Sequence, residues 1–289
     1  MSPKESATAQ PRPLLTGLVL GESPRWHGDR LWFCDWGAHE VVAADLAGRS
    51  EVVTRVPSLP FSIDWLPDGR LLVVSPSDRL LLRREPDGSL VTHADLGRLS
   101  GHPWNEIVVD GRGNAYVNNI GFDLMAGEPP ASGVVALVTP DGSARQVADG
   151  VDFPNGMVVT PDNSTLIVAE SYGGRLTAFE IGTDGTLSNR RTWADLPGAA
   201  PDGICLDADG AVWFGDVPHQ RCVRVREGGE PLQTIDLDRG CFACMLGGPD
   251  GRTLFMMAAE WQGTQGIAHG ARTGQVLTVA APAPGAGWP

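Results

Sequence analysis

Long apolar runs are missing from this chain of 289 residues. No stretch of about eighteen apolar residues occurs, which excludes a membrane-spanning helix. Residues 1–13 are polar and proline-bearing, without the apolar core of a signal peptide. Basic side chains are scarce, with 22 Lys and Arg against 35 Asp and Glu, for a formal charge of −13. A field of that sign repels phosphate backbones and acidic lipid surfaces, so neither a nucleic-acid nor a membrane partner is expected, while cations, including a bound metal, are favoured. The cysteines are few and odd in number, Cys34, Cys205, Cys222, Cys241 and Cys244. With no secretory segment to accompany them they are read as reduced thiols of a cytoplasmic protein. Cys241-Phe242-Ala243-Cys244 is a lone CxxC, lacking the second pair a zinc site needs and the βαβ setting of a redox motif, so its thiols are expected to be buried. His27, His39, His93, His102, His219 and His269 show no HxxxH spacing, and no GxSxG elbow, P-loop or dinucleotide fingerprint is present. Helical periodicity of 3.6 residues is absent as well.

What the chain does have is glycine and proline, 37 and 23 residues, spread without any low-complexity block. Residues so distributed punctuate many short elements. Six apolar segments recur, Leu31–Asp35, Leu71–Ser75, Ala115–Asn119, Leu166–Glu170, Val212–Asp216 and Leu254–Ala258, with starts 40, 44, 51, 46 and 42 residues apart. Turn signals precede them: Gly28-Asp29, Asp68-Gly69, Arg112-Gly113, Asp162-Asn163, Asp209-Gly210 and Asp250-Gly251. A second hairpin follows in most units, as around Asp87-Gly88, Asp141-Gly142, Asp184-Gly185 and Gly228-Gly229. Four short strands per unit, repeated six times, predict an all-β fold, a six-bladed β-propeller of four-stranded blades. The sixth unit ends one strand short after Val279, and the apolar segment Leu14 to Leu20 is available to complete it, which closes the ring and leaves no open edge. The domain is expected over 13–282, with 1–12 as a disordered tail and 283–289 as a second tail.

The repeat also aligns polar residues. Seven places before each turn residue stand Glu22, Phe61, Asn105, Asn155, Asp202 and Ala243. In a propeller these positions surround the axis at one depth, early in the innermost strands. Two carboxylates and two amides there, with no basic residue, repel one another unless a cation lies between them. Oxygen donors of this kind suit a hard divalent ion, Ca²⁺ first, with Mg²⁺, Mn²⁺ or Zn²⁺ as alternatives. Pro154-Asn155-Gly156 and Pro201-Asp202-Gly203 read equally well, one at a time, as ordinary turns. Glu22 is no turn former, and its agreement in register favours the ligand reading.

Gly21-Glu22-Ser23-Pro24, Phe153-Pro154-Asn155-Gly156-Met157, Pro201-Asp202-Gly203-Ile204-Cys205-Leu206-Asp207, and Cys241 to Leu246 running into Gly248-Pro249-Asp250-Gly251 occur in that order. In these segments, and over roughly residues 15–280, the chain resembles the SMP-30/gluconolactonase/luciferin-regenerating-enzyme family. The resemblance implies a six-bladed propeller and a divalent-metal hydrolase that opens lactones. It implies Glu22, Asn155 and Asp202 as metal ligands, and Asn105 facing substrate or a metal-bound water.

Such a site polarises a lactone carbonyl, and Asp202 is the expected catalytic carboxylate, taking a proton from water and returning it to the leaving alkoxide. Metal-bound hydroxide stands as the alternative nucleophile. The expected partner is a small lactone or ester, held by Asn105, with Trp104 as an aromatic wall or as blade packing, and His102 as a proton shuttle or a structural residue. Sugar-lactonase members often carry Arg two residues before the aligned asparagine. Pro103 stands there in this chain, and the substitution points to a less polar ester or lactone. Residues 120–132 have the composition of a long loop, read as a lid over the channel mouth in which Asp123 either reaches substrate or is simply solvated. A phosphotriesterase or non-hydrolytic metalloenzyme on the same propeller, and a binding propeller with a structural cation, are the competing functions.

Overall fold

The computed structural model describes residues 10–56, 58, 61–268 and 270–289. Six four-stranded antiparallel sheets stand as propeller blades around one axis. Blade 1 spans residues 21–55, blade 2 63–95, blade 3 104–151, blade 4 154–195 and blade 5 201–236, with strands in chain order from the axis outward. Blade 6 takes residues 240–280 and receives Arg12–Leu18 as its outermost strand. That strand runs antiparallel to Gly274–Ala280, with Leu15 opposite Val276 and Leu18 opposite Gly274. The two ends of the propeller thus pair in one sheet, as the missing sixth-unit strand requires, and the ring has no open seam there.

The repeated apolar segments are the second strands of the blades. Leu71–Ser75 and Val212–Asp216 are buried along their whole length. A second strand is covered on both faces by neighbouring blades, so it reads as a continuous apolar run rather than an alternating one. Outer strands are different: in Leu187–Asp195 residues 188–192 are exposed. Core clusters form between blades, as where Cys205 and Trp213 of blade 5 meet Leu254 and Met256 of blade 6. Full burial of such side chains contributes about 1.5–3 kcal/mol each. The hairpin turns follow the expected chemistry. Asp68 accepts the Arg70 amide at 3.1 Å, and Gly69 adopts φ +83°, a conformation side chains resist.

Two features depart from the sequence reading. Residues 263–268 form a short helix, Gly263–Ala268, within the connection between the second and third strands of blade 6. It is too brief to register as a period in the sequence. Residues 283–289, expected as a tail, are bonded to the ring. The amide of Ala286 donates to the carbonyl of Leu206 at 3.0 Å, and Trp288 exchanges both backbone bonds with Val159, at 2.8 and 2.9 Å. The segment therefore covers the far ends of the innermost strands of blades 4 and 5. Of the expected N-terminal tail, residues 1–9 lie outside the described residues, as does His269. Among the described residues no helix is long and apolar enough to cross a membrane.

Candidate active site in the mouth of the ring

Each innermost strand begins at the same end of the propeller, and four of them carry at the second position an oxygen-bearing side chain that lines the axial cavity. These are Glu22 in Gly21–His27, Asn105 in Trp104–Val109, Asn155 in Pro154–Val159 and Asp202 in Pro201–Leu206. In all four the ladder to the second strand breaks at that residue, between Glu22 and Arg25, Trp104 and Ile107, Pro154 and Met157, and Pro201 and Ile204. A bulge of this kind twists the strand and re-aims a side chain. Pro154-Asn155-Gly156 and Pro201-Asp202-Gly203 are thus strand segments at a bulge, not turns. Their glycines answer to crowding at the axis. A Cβ on Gly156 would stand 2.5 Å from the Ile204 nitrogen, and one on Gly203 2.4 Å from the Ala243 Cβ.

The polar residue that ends each second strand explains how these positions are held. The Asp35 carboxylate accepts the amides of Val19 and Leu20 at 3.0–3.2 Å, just upstream of Glu22. Asn119 donates to the carbonyls of His102 and Pro103 at 2.9 and 2.8 Å, upstream of Asn105. Glu170 accepts the Asp152 amide at 2.7 Å, and Asp216 the Ala200 amide at 3.2 Å, upstream of Asn155 and Asp202. In these four blades one buried side chain therefore clamps the entry to the strand that bears the site residue. Neighbouring blades are also stitched together: Ser62 donates to the Asn105 carbonyl at 2.7 Å, Asn118 to that of Asn155 at 2.6 Å, and Ser171 to that of Pro201 at 2.8 Å.

Glu22, Asn105, Asn155 and Asp202 all line one cavity of about 380 Å³. Burial pushes the Glu22 carboxyl well above the usual carboxylate range, and the Asp202 and Glu106 carboxylates raise it further. Asp202 is raised well above its ordinary value by burial and then by Glu106, against a lowering hydrogen bond from Asn155. The cation beneath them is engaged elsewhere. Arg25 is buried, donates to the Ile107 carbonyl at 2.6 Å, and lies 3.6 Å from Glu106 and 4.0 Å from Asp64. Its lowering of Glu22 is outweighed. Two carboxylates facing one cavity without a matching positive charge form a poor anion site and a ready cation site. Among the described residues no group of three or more His, Cys, Asp or Glu stands together as a metal cluster.

Of the other expected site residues, Asp123 lines the cavity, its carboxylate accepting the Ala126 amide at 2.9 Å. Trp104 borders it but is fully buried, packed with Leu72, Leu96 and Val117 between blades 2 and 3, so it serves the core and does not form the open aromatic wall. His102 does not line the cavity. Its ring is 3.3 Å from the Glu128 carboxylate, which also accepts the Asp123 amide at 2.8 Å, so it ties down the 120–132 loop. Phe61 and Ala243, the apolar members of the register, lie in interblade core. All five cysteines are free and buried. Sequence reasoning missed the cavity's aromatic members Trp36, Phe122, Phe153, Tyr172, Phe242 and Trp261, of which Phe153 and Phe242 lie within motifs already singled out. It also missed the axial Arg25–Glu106 contact, which spans residues of separate blades.

The model of the SMP-30/Gluconolactonase/LRE-like region matches residues 20–260. A regucalcin from Xenopus laevis is 31% identical over 250 residues, covering 83% of each chain. The pentonolactonase XacC of Haloferax volcanii is 24% identical over 263 residues, covering 88% of this chain and 87% of that one. Among solved structures, the calcium-binding protein regucalcin from Agrobacterium tumefaciens superposes with a TM-score of 0.79 at 21% identity, covering 97% of this chain and 95% of the other. With a propeller whose site residues fall within the matched span, the chain belongs to the SMP-30/gluconolactonase/LRE-like family.

Proposed function

We propose that the protein is a divalent-metal-dependent hydrolase that opens a lactone or related ester, with Glu22, Asn155 and Asp202 holding the ion, Ca²⁺ before Mg²⁺, Mn²⁺ or Zn²⁺. The observation that carries this reading is the pair of carboxylates from blades 1 and 5 whose ionisation is opposed by burial, with no cation among the cavity's described lining residues. Oxygen donors of mixed carboxylate and amide type fit a hard ion. The names of the relatives, a pentonolactonase and calcium-binding regucalcin, support the same chemistry.

Bound there, the ion supplies Lewis-acid polarisation of the carbonyl and offsets the charge that develops on its oxygen. Asp202, partly accessible at the cavity floor, takes a proton from the attacking water as the water oxygen bonds to the carbonyl carbon. The ring C–O bond then breaks, and the same proton passes to the leaving alkoxide, giving a hydroxy acid. Asn105 spends one amide hydrogen on the Pro154 carbonyl at 3.3 Å and has the other for the substrate. The test is direct. Lactone hydrolysis is expected to disappear on chelation and return with Ca²⁺, and calorimetry is expected to find one Ca²⁺ site that weakens in Glu22→Gln and Asp202→Asn. Full turnover by metal-free Asp202→Asn protein would sink the reading.

A further inference from the structure

We propose that this site takes an uncharged lactone or ester bearing an apolar or aromatic substituent, gripped between two aromatic walls in which Tyr172 and Trp261 determine specificity; the inference rests on the hydrolytic reading above. Six connections between second and third strands, one per blade, line the cavity, and two of them are long, 120–132 in blade 3 and 260–273 in blade 6. In a six-bladed ring these blades are diametrically opposed. The first wall is built from Phe122 on the long loop of blade 3, Phe153 at the entry to blade 4 and Tyr172 in the blade 4 turn. Phe153 and Tyr172 have ring centroids 4.5 Å apart, and Phe122 lies 5.7 Å from Phe153 and 6.2 Å from Tyr172. Phe153 sits at φ +55°, a conformation uncommon for a bulky residue, with its ring in this cluster. The second wall is Phe242 against Trp261, at 5.7 Å, on blade 6.

Exposure follows the same division. Tyr172 is 59% and Trp261 48% exposed, unusual for large rings unless something covers them, and both border the cavity. The polar side chains lie mostly on the floor and are largely occupied: Ser171 is committed to the Pro201 carbonyl and Asn105 to that of Pro154. Among the described lining residues there is no Lys, Arg or His. A carboxylated or phosphorylated lactone would meet Glu22, Asp123 and Asp202 with no basic side chain to offset its charge, only an ion already balanced by two carboxylates. A polyol would bury hydroxyls against the faces of Phe122, Phe153 and Phe242, which return no hydrogen bond, at about 1–3 kcal/mol for each left unmet. An alkyl chain or aryl ring gains from the same surfaces, at about 0.8 kcal/mol per buried methylene.

The experiment compares kcat/KM of the full-length protein, in calcium-containing buffer, for three δ-lactones: unsubstituted, long-chain alkyl-substituted and polyhydroxylated. The alkyl lactone is expected to exceed both others by about tenfold or more. Trp261→Ala and Tyr172→Ala are expected to raise its KM about tenfold, with a smaller change for the unsubstituted ring, while Trp261→Phe retains most of the preference. Thermal melting checks that each variant is folded. A preference for the polyol, or variants that affect all three lactones alike, overturns the proposal. Should none be hydrolysed, calorimetry with the alkyl-substituted δ-lactam decides. Binding with a negative heat-capacity change, weakened by Trp261→Ala, keeps the walls and removes the hydrolase; absence of binding overturns the walls.

Discussion

Blades 1, 3, 4 and 5 differ from blades 2 and 6 at one repeat position, and the backbone differs with the side chain. In the first group a bulge starts at an oxygen-bearing residue or spans it, and that residue reaches the cavity. In blade 2 the innermost strand Ile63–Trp65 pairs without a shift, and Phe61 lies before it in the core. In blade 6 the shift comes between Cys241 and Ala243, ahead of the equivalent residue, and Ala243 packs against Gly203. The lesson is that the oxygen-bearing residues that reach the cavity in this ring are those aimed by a local break in pairing.

Removing the donor while keeping the break is the severest test. Asp202→Asn is expected to lower kcat by about 10²–10⁴-fold with the fold retained, measured by steady-state lactone hydrolysis alongside thermal melting. A drop of less than threefold would mean that the carboxylate takes no part in proton transfer.

Next comes the charge below the floor. Burial raises Asp64 from 3.8 to about 6, against the lowering pull of Arg25. An acid that is weaker in the folded state holds its proton longer there, so stability declines as pH climbs from about 4 to about 6. The decline is roughly 3 kcal/mol at most. Urea melts across that interval should show the slope, and Asp64→Asn should lessen it by this share, the raised Glu22, Asp202 and Glu106 carboxyls keeping the rest.

The clamps come third. Glu170 is fully buried and holds the Asp152 amide together with Arg175, at 2.8 Å, and Arg190, at 3.2 Å. Glu170→Ala is expected to cost about 2–3 kcal/mol in urea unfolding and to raise KM by loosening the approach to Asn155. Equal stability with unchanged KM would show that the clamp is dispensable.

The smallest effect is expected from the glycines behind the donors. Gly203→Ala forces a methyl into Ala243 and should destabilise by about 1–3 kcal/mol, more than Gly210→Ala would by steric contact alone, since no atom lies within 4 Å of a Cβ there. A Gly203→Ala variant as stable as the parent would show that crowding at the axis is not what demands glycine at 203, where the backbone is not in the left-handed region.

The blade count, the strand-closing role of the N-terminal apolar segment and the shared register of Glu22, Asn105, Asn155 and Asp202 were all legible in the chain, because a repeat writes the same spacing six times. The roles of Trp104 and His102 were not. A tryptophan beside a candidate site residue looks alike in sequence whether it faces a cavity or a core, and here the blade 2–3 interface claims it. His102 points to Glu128, a loop residue whose position no periodicity encodes. The anchored stretch 283–289 escaped notice because its backbone bonds to Leu206 and Val159 owe nothing to side-chain pattern.

By itself, then, the order of residues determined the number of blades, which strands are innermost and which oxygen atoms share a depth, since local turns and alternating burial act over a few residues at a time. Only the closed ring decided that two aromatic walls stand across from each other over an acidic floor. Their members come from blades 3, 4 and 6, and such distant segments meet only when interblade packing brings them around one axis.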